Sequence, residues 1–198
     1  MSSSPSSGGR PRDTALDDAI LDAAAELLLQ DGYARLSIEQ VARRAGTSRP
    51  TVYRRYADKQ ALVAATLLRR HGADPAPDTG TLEEDLLAVQ RNQVRFFQDP
   101  LVQQALLPLL PELERDPALR QALGERFMRP RRESTCRALR RARERGEIDQ
   151  DTAEHDDYVC DLLTGPFMFR AIARGLGPIN DGLAKLTVVT ALRFLGRP

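Results

Sequence analysis

The stretch AGTSRPTVYRRYADK, Ala45 to Lys59, places four cations and two tyrosines within fifteen residues of a chain whose formal net charge is only +1. Between Arg35 and Lys59 the cations are Arg35, Arg43, Arg44, Arg49, Arg54, Arg55 and Lys59, against the two acids Glu39 and Asp58. Such a local surplus suits polyanions. An Arg guanidinium can present two donors to guanine O6 and N7 in the major groove, so Arg49 and Arg54 are the candidates for reading bases. Hydroxyls and helix-start N–H groups suit phosphate oxygens, which assigns Thr47, Ser48, Thr51 and Tyr53 to the backbone. Lys59 adds a point charge for the same purpose. At about 100° per residue, Val52 and Tyr56 share one helix face and turn inward, leaving Pro50, Thr51, Tyr53 and Arg54 on the other side. The competing reading is an ordinary solvated basic face.

The elements that must hold these residues are helical. Leu16, Ile20, Ala23, Leu27 and Leu28 recur at spacings of three and four after a cap at Asp13 or Thr14, with Gly32 as a stop. A capping box, Ser37 with Gln40, opens a second helix, and Leu36 and Val41 stand where a hydrophobic staple would close. Gly46 ends it. Thr47 or Ser48 caps a third helix carrying Pro50 in its first turn, and Asp58 caps a fourth running to about His71. Two short helices joined across AGTS have the lengths of a helix-turn-helix, whose second helix enters the major groove.

With these residues placed, GTSRPTVYRRYADKQALV preceded by SIEQVARRA resembles the DNA-binding signature of the TetR family of bacterial transcriptional repressors. The similarity runs from about Asp13 to Leu68. It implies phosphate contacts from Tyr53 and Lys59 and base-edge contacts from Arg49, Pro50 and Arg54; Arg43, from the same basic cluster, joins them as a candidate DNA contact. Pro50 departs from the family pattern, which often has a small residue there.

Beyond Gly72–Gly80, a Gly, Pro and Asp-rich break, further caps stand at Thr81 with Glu84, Asp99-Pro100, Asp116-Pro117, Asp151 with Glu154, and Asn180 or Asp181. Pro108 and Pro111 should keep the helix after Pro100 short, and Pro130 should kink the one after Pro117. The expected architecture is all-α with about nine helices. It divides into a basic tail (1–12), a helix-turn-helix domain with its connecting helix (13–71), a linker (72–80) and a helical C-terminal domain (81–198). The resemblance implies that this last domain holds a small-molecule effector and forms a homodimer. Candidate pocket residues are Phe96, Phe97, Leu106, Leu107, Met128, Phe167 and Met168. Candidate dimer residues are Leu162, Phe169, Ile172, Leu186, Val189 and Leu192.

Other chemistries find little footing. With 41% hydrophobic residues the chain can bury a core, and its near-neutral charge argues against wholesale coating of nucleic acid or membrane. Two cysteines are too few for a disulfide framework, which together with the lack of a long apolar run points to the cytoplasm. His71 and His155 do not form a metal-ligand pair, and neither a phosphate loop nor a nucleophile elbow is present, so no cofactor, metal or enzyme activity is expected. His71 is expected to close its helix as a cation, Arg126–Arg145 to be a solvated face, and Glu154, Asp156 and Asp157 an ordinary acidic helix start. Arg10 and Arg12 could form an arm reaching the minor groove. Two further classes compete: an enzyme with an incidental helix-turn-helix, and a helical adaptor. The partners expected are an operator duplex, a second copy of the chain and a small molecule.

Overall fold

Helix boundaries follow local chemistry at most of the predicted positions. A computed structural model describes residues 14–71, 76–173 and 175–196, leaving the predicted tail with Arg10 and Arg12, the Asp13 cap and part of the linker outside the described residues. The N-terminal part comprises α1 (Thr14–Arg35), α2 (Ile38–Arg44), α3 (Arg49–Arg55) and α4 (Lys59–His71). The remainder comprises α5 (Leu82–Gln98), α6 (Pro100–Arg115), α7 (Pro117–Leu123), α8 (Arg129–Glu144), α9 (Asp156–Ile172) and α10 (Asp181–Phe194). A π-helical turn, Gly124–Met128, joins α7 to α8 into one run, so nine separate rods and no strand are present among the described residues.

Gly32 interrupts the end of α1 at φ 73°, a backbone region that residues with a Cβ avoid. The Ser37 hydroxyl accepts from the Gln40 N–H at 3.2 Å while Gln40 Oε1 accepts from the Ser37 N–H at 3.0 Å, forming the predicted capping box. Thr81, Asp99, Asp116 and Asn180 likewise cap α5, α6, α7 and α10 through their side chains. Pro130 comes two residues after Met128, the last residue of the π-helical turn, so the irregularity lies on the N-terminal side of the proline, where its ring crowds the preceding turn.

Two predicted boundaries are corrected. The helix after Pro100 is not short, since α6 continues for 16 residues through Pro108 and Pro111. Both prolines lie on its exposed side, where the carbonyls they leave unbonded can meet water. Each costs about 3 kcal/mol, whereas burying Leu101, Val102, Leu106 and Leu109 of the same helix returns about 6–12 kcal/mol. Burial therefore outweighs the breaker. The segment at Asp151 opens as a 3₁₀ turn, Gln150–His155, without a side-chain cap, and α9 begins only at Asp156.

One apolar cluster joins α1–α4 to α5, α6 and α7, including Leu28, Val41, Val52, Leu67, Phe97 and Leu109. A second unites α5, α8, α9 and α10 around Leu86, Leu139, Leu163 and Val188. Gln90, fully buried, ties three of these helices together by donating to the Leu163 carbonyl at 2.8 Å and the Thr187 hydroxyl at 2.6 Å.

The basic run on α8 is not merely a solvated face. Arg143 is buried and bonds Asp156 at the start of α9, while Arg132 reaches Asp157 at 2.8 Å and Asp161 at 2.6 Å. Arg141 and Arg145 approach the fully buried Asp85 of α5 at 3.4 and 3.8 Å. Taking a carboxylate out of water is costly unless such partners surround it. Asp156 and Asp157, two of the three acids that the sequence set aside as an ordinary helix start, thus have a structural use. Glu154 instead faces His155 at 3.3 Å.

Candidate nucleic-acid interface and ligand cavity

The α2–α3 corner is fixed by backbone chemistry. Gly46 has φ 64°; its N–H bonds the Arg43 carbonyl at 3.3 Å, and the Thr47 N–H bonds the Ala42 carbonyl at 2.9 Å. These two bonds make a Schellman stop, for which glycine is favoured. Ser48 caps α3, with its hydroxyl 3.4 Å from the Thr51 N–H and 2.9 Å from the Thr51 hydroxyl. Pro50, in the first turn, has no N–H that the short helix would have to satisfy.

Packing then selects which face of α3 is presented. Val52 is fully buried against a core that includes Ile38, Val41 and Ala42, and Tyr56 packs half-buried on the same cluster. Arg43, Ser48, Arg49, Pro50, Tyr53 and Arg54 are exposed, with Thr47, Thr51 and Lys59 at intermediate exposure. The nine residues thus occur along one corner, on α2, the turn, α3 and the start of α4.

The seven cations divide by partner. Arg55 reaches Asp17 at 3.3 Å, Arg44 reaches Glu26 at 3.1 Å and Arg35 reaches Asp31 at 3.6 Å. All three acids are on α1, so Arg44 and Arg55 bind the two short helices to it. Among the described residues, Arg43, Arg49 and Arg54 have no such carboxylate partner; Arg49 stands over the Tyr53 ring with 5.9 Å to its centroid. Their charge is left facing solvent. Lys59 is an intermediate case: its ammonium lies 4.2 Å from the Tyr33 ring centroid and 3.5 Å from the Ala34 carbonyl. Burial lowers its pKa, partly opposed by Glu112, and burial likewise raises that of Tyr33.

A cavity of about 440 Å³ opens between α5, α6, α8 and α9. Phe96, Phe97, Leu106, Met128 and Met168 are on its wall, joined by Leu110, Leu113 and Leu123. Leu107 and Phe167 are not. Leu107 is one position off the Leu106, Leu110, Leu113 stripe, and Phe167 is sealed behind Phe97, stacked at 6.1 Å. Polar atoms gather where Gln93 donates to Thr164 at 3.1 Å and where Arg131 and Arg132 enter. The Arg131 guanidinium stands 4.6 Å from the Phe96 centroid and donates to the His71 carbonyl at 2.8 Å, linking the cavity wall to the end of α4. His71 itself does not behave as the expected helix-end cation: burial lowers its pKa, outweighing the Asp99 carboxylate at 2.9 Å.

On α9 and α10, Phe169 (60% exposed), Ile172 (55%), Leu186 (60%) and Val189 (39%) lie open to solvent. Leu192 is corrected: it is 7% exposed and belongs to the internal stripe with Val188, Ala191 and Leu195. Leu162 is half-buried against the same core.

The sequence and fold have counterparts. Residues 20–66 match the model for bacterial regulatory proteins of the tetR family, and residues 76–191 match the tetracyclin repressor-like C-terminal domain. The chain belongs to the TetR family. It is 36% identical over 189 residues to the HTH-type transcriptional regulator Rv1556 of Mycobacterium tuberculosis, covering 94% of this chain and 89% of that protein. It is 31% identical over 184 residues to the DNA-binding transcriptional repressor TetR of Mycobacteroides abscessus, covering 91% and 93% respectively. The crystal structure of the TetR family transcription regulator SCO0332 superposes with a TM-score of 0.71 at 29% identity, over 90% of this chain and 97% of that one.

This TetR-family regulator therefore carries the helix-turn-helix on α2 and α3. Sequence reasoning missed the roles of Arg44 and Arg55, whose partners are 18 and 38 residues away in a different helix. It also missed Leu110 and Leu113, which lie beyond Pro108, where a short helix was expected, at helical spacing from Leu106. Tyr158, Leu176 and Phe194, at 55%, 67% and 44% exposure, extend the open apolar surface; the composition of a helix does not say which apolar stripe its own subunit covers.

Proposed function

We propose that this TetR-family regulator is a repressor that binds a two-fold operator as a homodimer and is released by a small molecule. The observation that carries the DNA-contact assignment is the division of cations at the α2–α3 corner, where Arg43, Arg49 and Arg54 remain exposed while Arg44 and Arg55 are held by acids of α1. In this reading Arg49 and Arg54 meet base edges beside Pro50. Thr47, Ser48, Thr51, Tyr53 and Lys59 hold phosphates, with Arg43 supporting from α2. Residues 13–71 serve DNA, 72–80 link, and 81–198 bind the effector and the second copy, with 1–12 as a basic tail.

The open apolar surface of Phe169, Ile172, Leu186 and Val189 supports pairing through α9 and α10, since exposed patches of this kind mark contact sites. A two-fold reader needs a two-fold operator. The cavity between α5, α6, α8 and α9 supports an effector site; its wall is mainly apolar with a few convergent polar groups, as small-molecule sites are. Ligand need only prefer the dimer conformation whose recognition helices miss the half-site spacing; full switching from 1:99 to 99:1 requires about 5.5 kcal/mol of differential affinity. The regulator works in the cytoplasm and does no catalysis.

Selection of bound sequences from random duplex DNA, at a stated salt concentration, tests the reading. A pseudo-palindrome with half-sites about one helical turn apart is expected. Recovery of unpatterned sequences alone would refute it.

A further inference from the structure

Cys136 and Cys160 are the two cysteines of the chain. They lie 24 residues apart in sequence, Cys136 on α8 and Cys160 on α9, yet their sulfurs face each other at 3.9 Å. Both are free thiols, Cys136 half-buried and Cys160 buried. Their surroundings differ in a useful way. Cys136 is on the wall of an outer cleft of about 520 Å³, whereas Cys160 is on the wall of the inner cavity. Arg132 borders both spaces and is held to α9 by Asp157 and Asp161. The pair thus bridges two packed helices, with one sulfur reachable from outside.

We propose that Cys136 and Cys160 form a reversible dithiol–disulfide centre, oxidised by hydroperoxides that enter through the outer cleft. The geometry is close to that required: a disulfide needs sulfurs about 2.05 Å apart, so the gap must close by roughly 2 Å through side-chain rotation. Oxidation begins at Cys136. Its thiolate attacks the peroxide O–O bond, leaving a sulfenic acid and hydroxide; the Cys160 sulfur then displaces the sulfenic oxygen as water. Together, two thiols and one hydrogen peroxide give one disulfide and two waters, with two electrons passing from sulfur to oxygen. Reduction by a small thiol reverses the change.

The same surroundings set the pace. Burial pushes the Cys160 thiol up to about 12 and raises that of Cys136 as well. Glu133 on α8 and Asp156 on α9 oppose the Cys136 thiolate, while Arg132 favours it. Little thiolate is present at neutral pH, so the reaction is a slow response to sustained peroxide rather than a fast sensor. The buried member resolves the sulfenic acid before it is oxidised further. The resulting bond joins α8 to α9 at the wall between the outer cleft and the inner cavity, and the proposal does not depend on what that cavity binds.

The test treats the reduced full-length protein with excess hydrogen peroxide at pH 8.5 and follows titratable thiols, intact mass and electrophoretic mobility without reductant. The expected result is a fall from two thiols to none, loss of two hydrogens, no covalent dimer, and complete reversal by a small-molecule thiol. In Cys160→Ser, Cys136 should instead be trapped as a sulfenic acid by a carbon nucleophile. In Cys136→Ser, Cys160 should keep its thiol. Persistence of both thiols in the wild type, a disulfide only between subunits, or sulfinic acid on Cys136 without a cross-link would each overturn the proposal. Because the wild-type mass and thiol count decide the matter, a variant that folded poorly would not rescue it.

Discussion

Arg54 and Arg55 are neighbours of identical chemistry for which the structure gives opposite expectations. Arg54 is exposed on α3 without a carboxylate partner among the described residues, while Arg55 is 3.3 Å from Asp17, with side-chain exposures of 13% and 26%. If Arg54 reads a base, Arg54→Ala removes about 1–3 kcal/mol of discrimination at each half-site. A dimer would lose about 2–6 kcal/mol, or roughly 30-fold to 10⁴-fold in operator affinity. Binding to scrambled duplex should fall less than about tenfold, and the salt slope should change little because no phosphate contact is lost. Arg55→Ala should do the reverse. Removing a mostly buried ion-pair partner costs about 1–2 kcal/mol, between the values for exposed and fully buried pairs. For a chain of this length that lowers Tm by about 2–8 °C, while the ratio of operator to scrambled affinity stays within about twofold when measured well below Tm. Fluorescence anisotropy on both duplexes over a salt series, with calorimetric Tm, separates these outcomes. Equal losses on both duplexes for Arg54→Ala, or lost discrimination for Arg55→Ala, would refute the division of the cations.

Tyr53→Phe should weaken operator and scrambled duplex by a similar factor, corresponding to about 0.5–1.5 kcal/mol for each phosphate hydrogen bond lost; a change in the preferred sequence would contradict its assignment. Phe169→Glu with Leu186→Glu should give a monomer by sedimentation at micromolar concentration, since two charges would be buried in the contact; an unaltered dimer would exclude that surface. Leu192→Ala, by contrast, should leave the dimer intact and lower stability by about 2–5 kcal/mol in denaturant titrations, because its side chain is internal. The folded pKa of His71 lies below its unfolded value near 6.5 because of burial, with Arg70 and Arg131 adding to the effect of burial and Asp99 opposing it. In the window between these values the unfolded chain binds more protons, so stability should fall as pH drops below about 6.5. Asp99, whose pKa is lowered by its bonds to Leu101 and Arg70 despite burial, loses its contribution only as pH falls further, through its folded pKa below 3.8. His71→Gln should flatten the upper part of the pH–Tm curve; an unchanged curve would remove His71 as its source.

Much of the fold was legible because helix ends obey short-range rules. Ser37 with Gln40, Gly46, Ser48 and Asp58 are each specified by chemistry within about four residues, and the helix-turn-helix follows from them. The facing of α3 was legible for the same reason, since Val52 and Tyr56 are four apart. What was misread depended on distant partners. Pro108 and Pro111 break an isolated helix, but α6 has a buried stripe whose value comes from packing against α1 and α4, with α5 and α7. Leu192 looked like Leu186, and only the packing of α10 on α5 and α9 separates them. His71 looked like a helix-end cation until burial against Phe96 and Arg131 lowered its pKa.

The sequence by itself determined the helical class, the capped starts of the helices and the basic corner between α2 and α3, because those depend on backbone propensity and neighbouring side chains. The tertiary structure decided which cations are neutralised and which face solvent, which apolar stripe is core and which is surface, and that Cys136 meets Cys160. Those outcomes are set by desolvation and Coulomb attraction between groups far apart in the chain, and neither acts until folding brings the groups together.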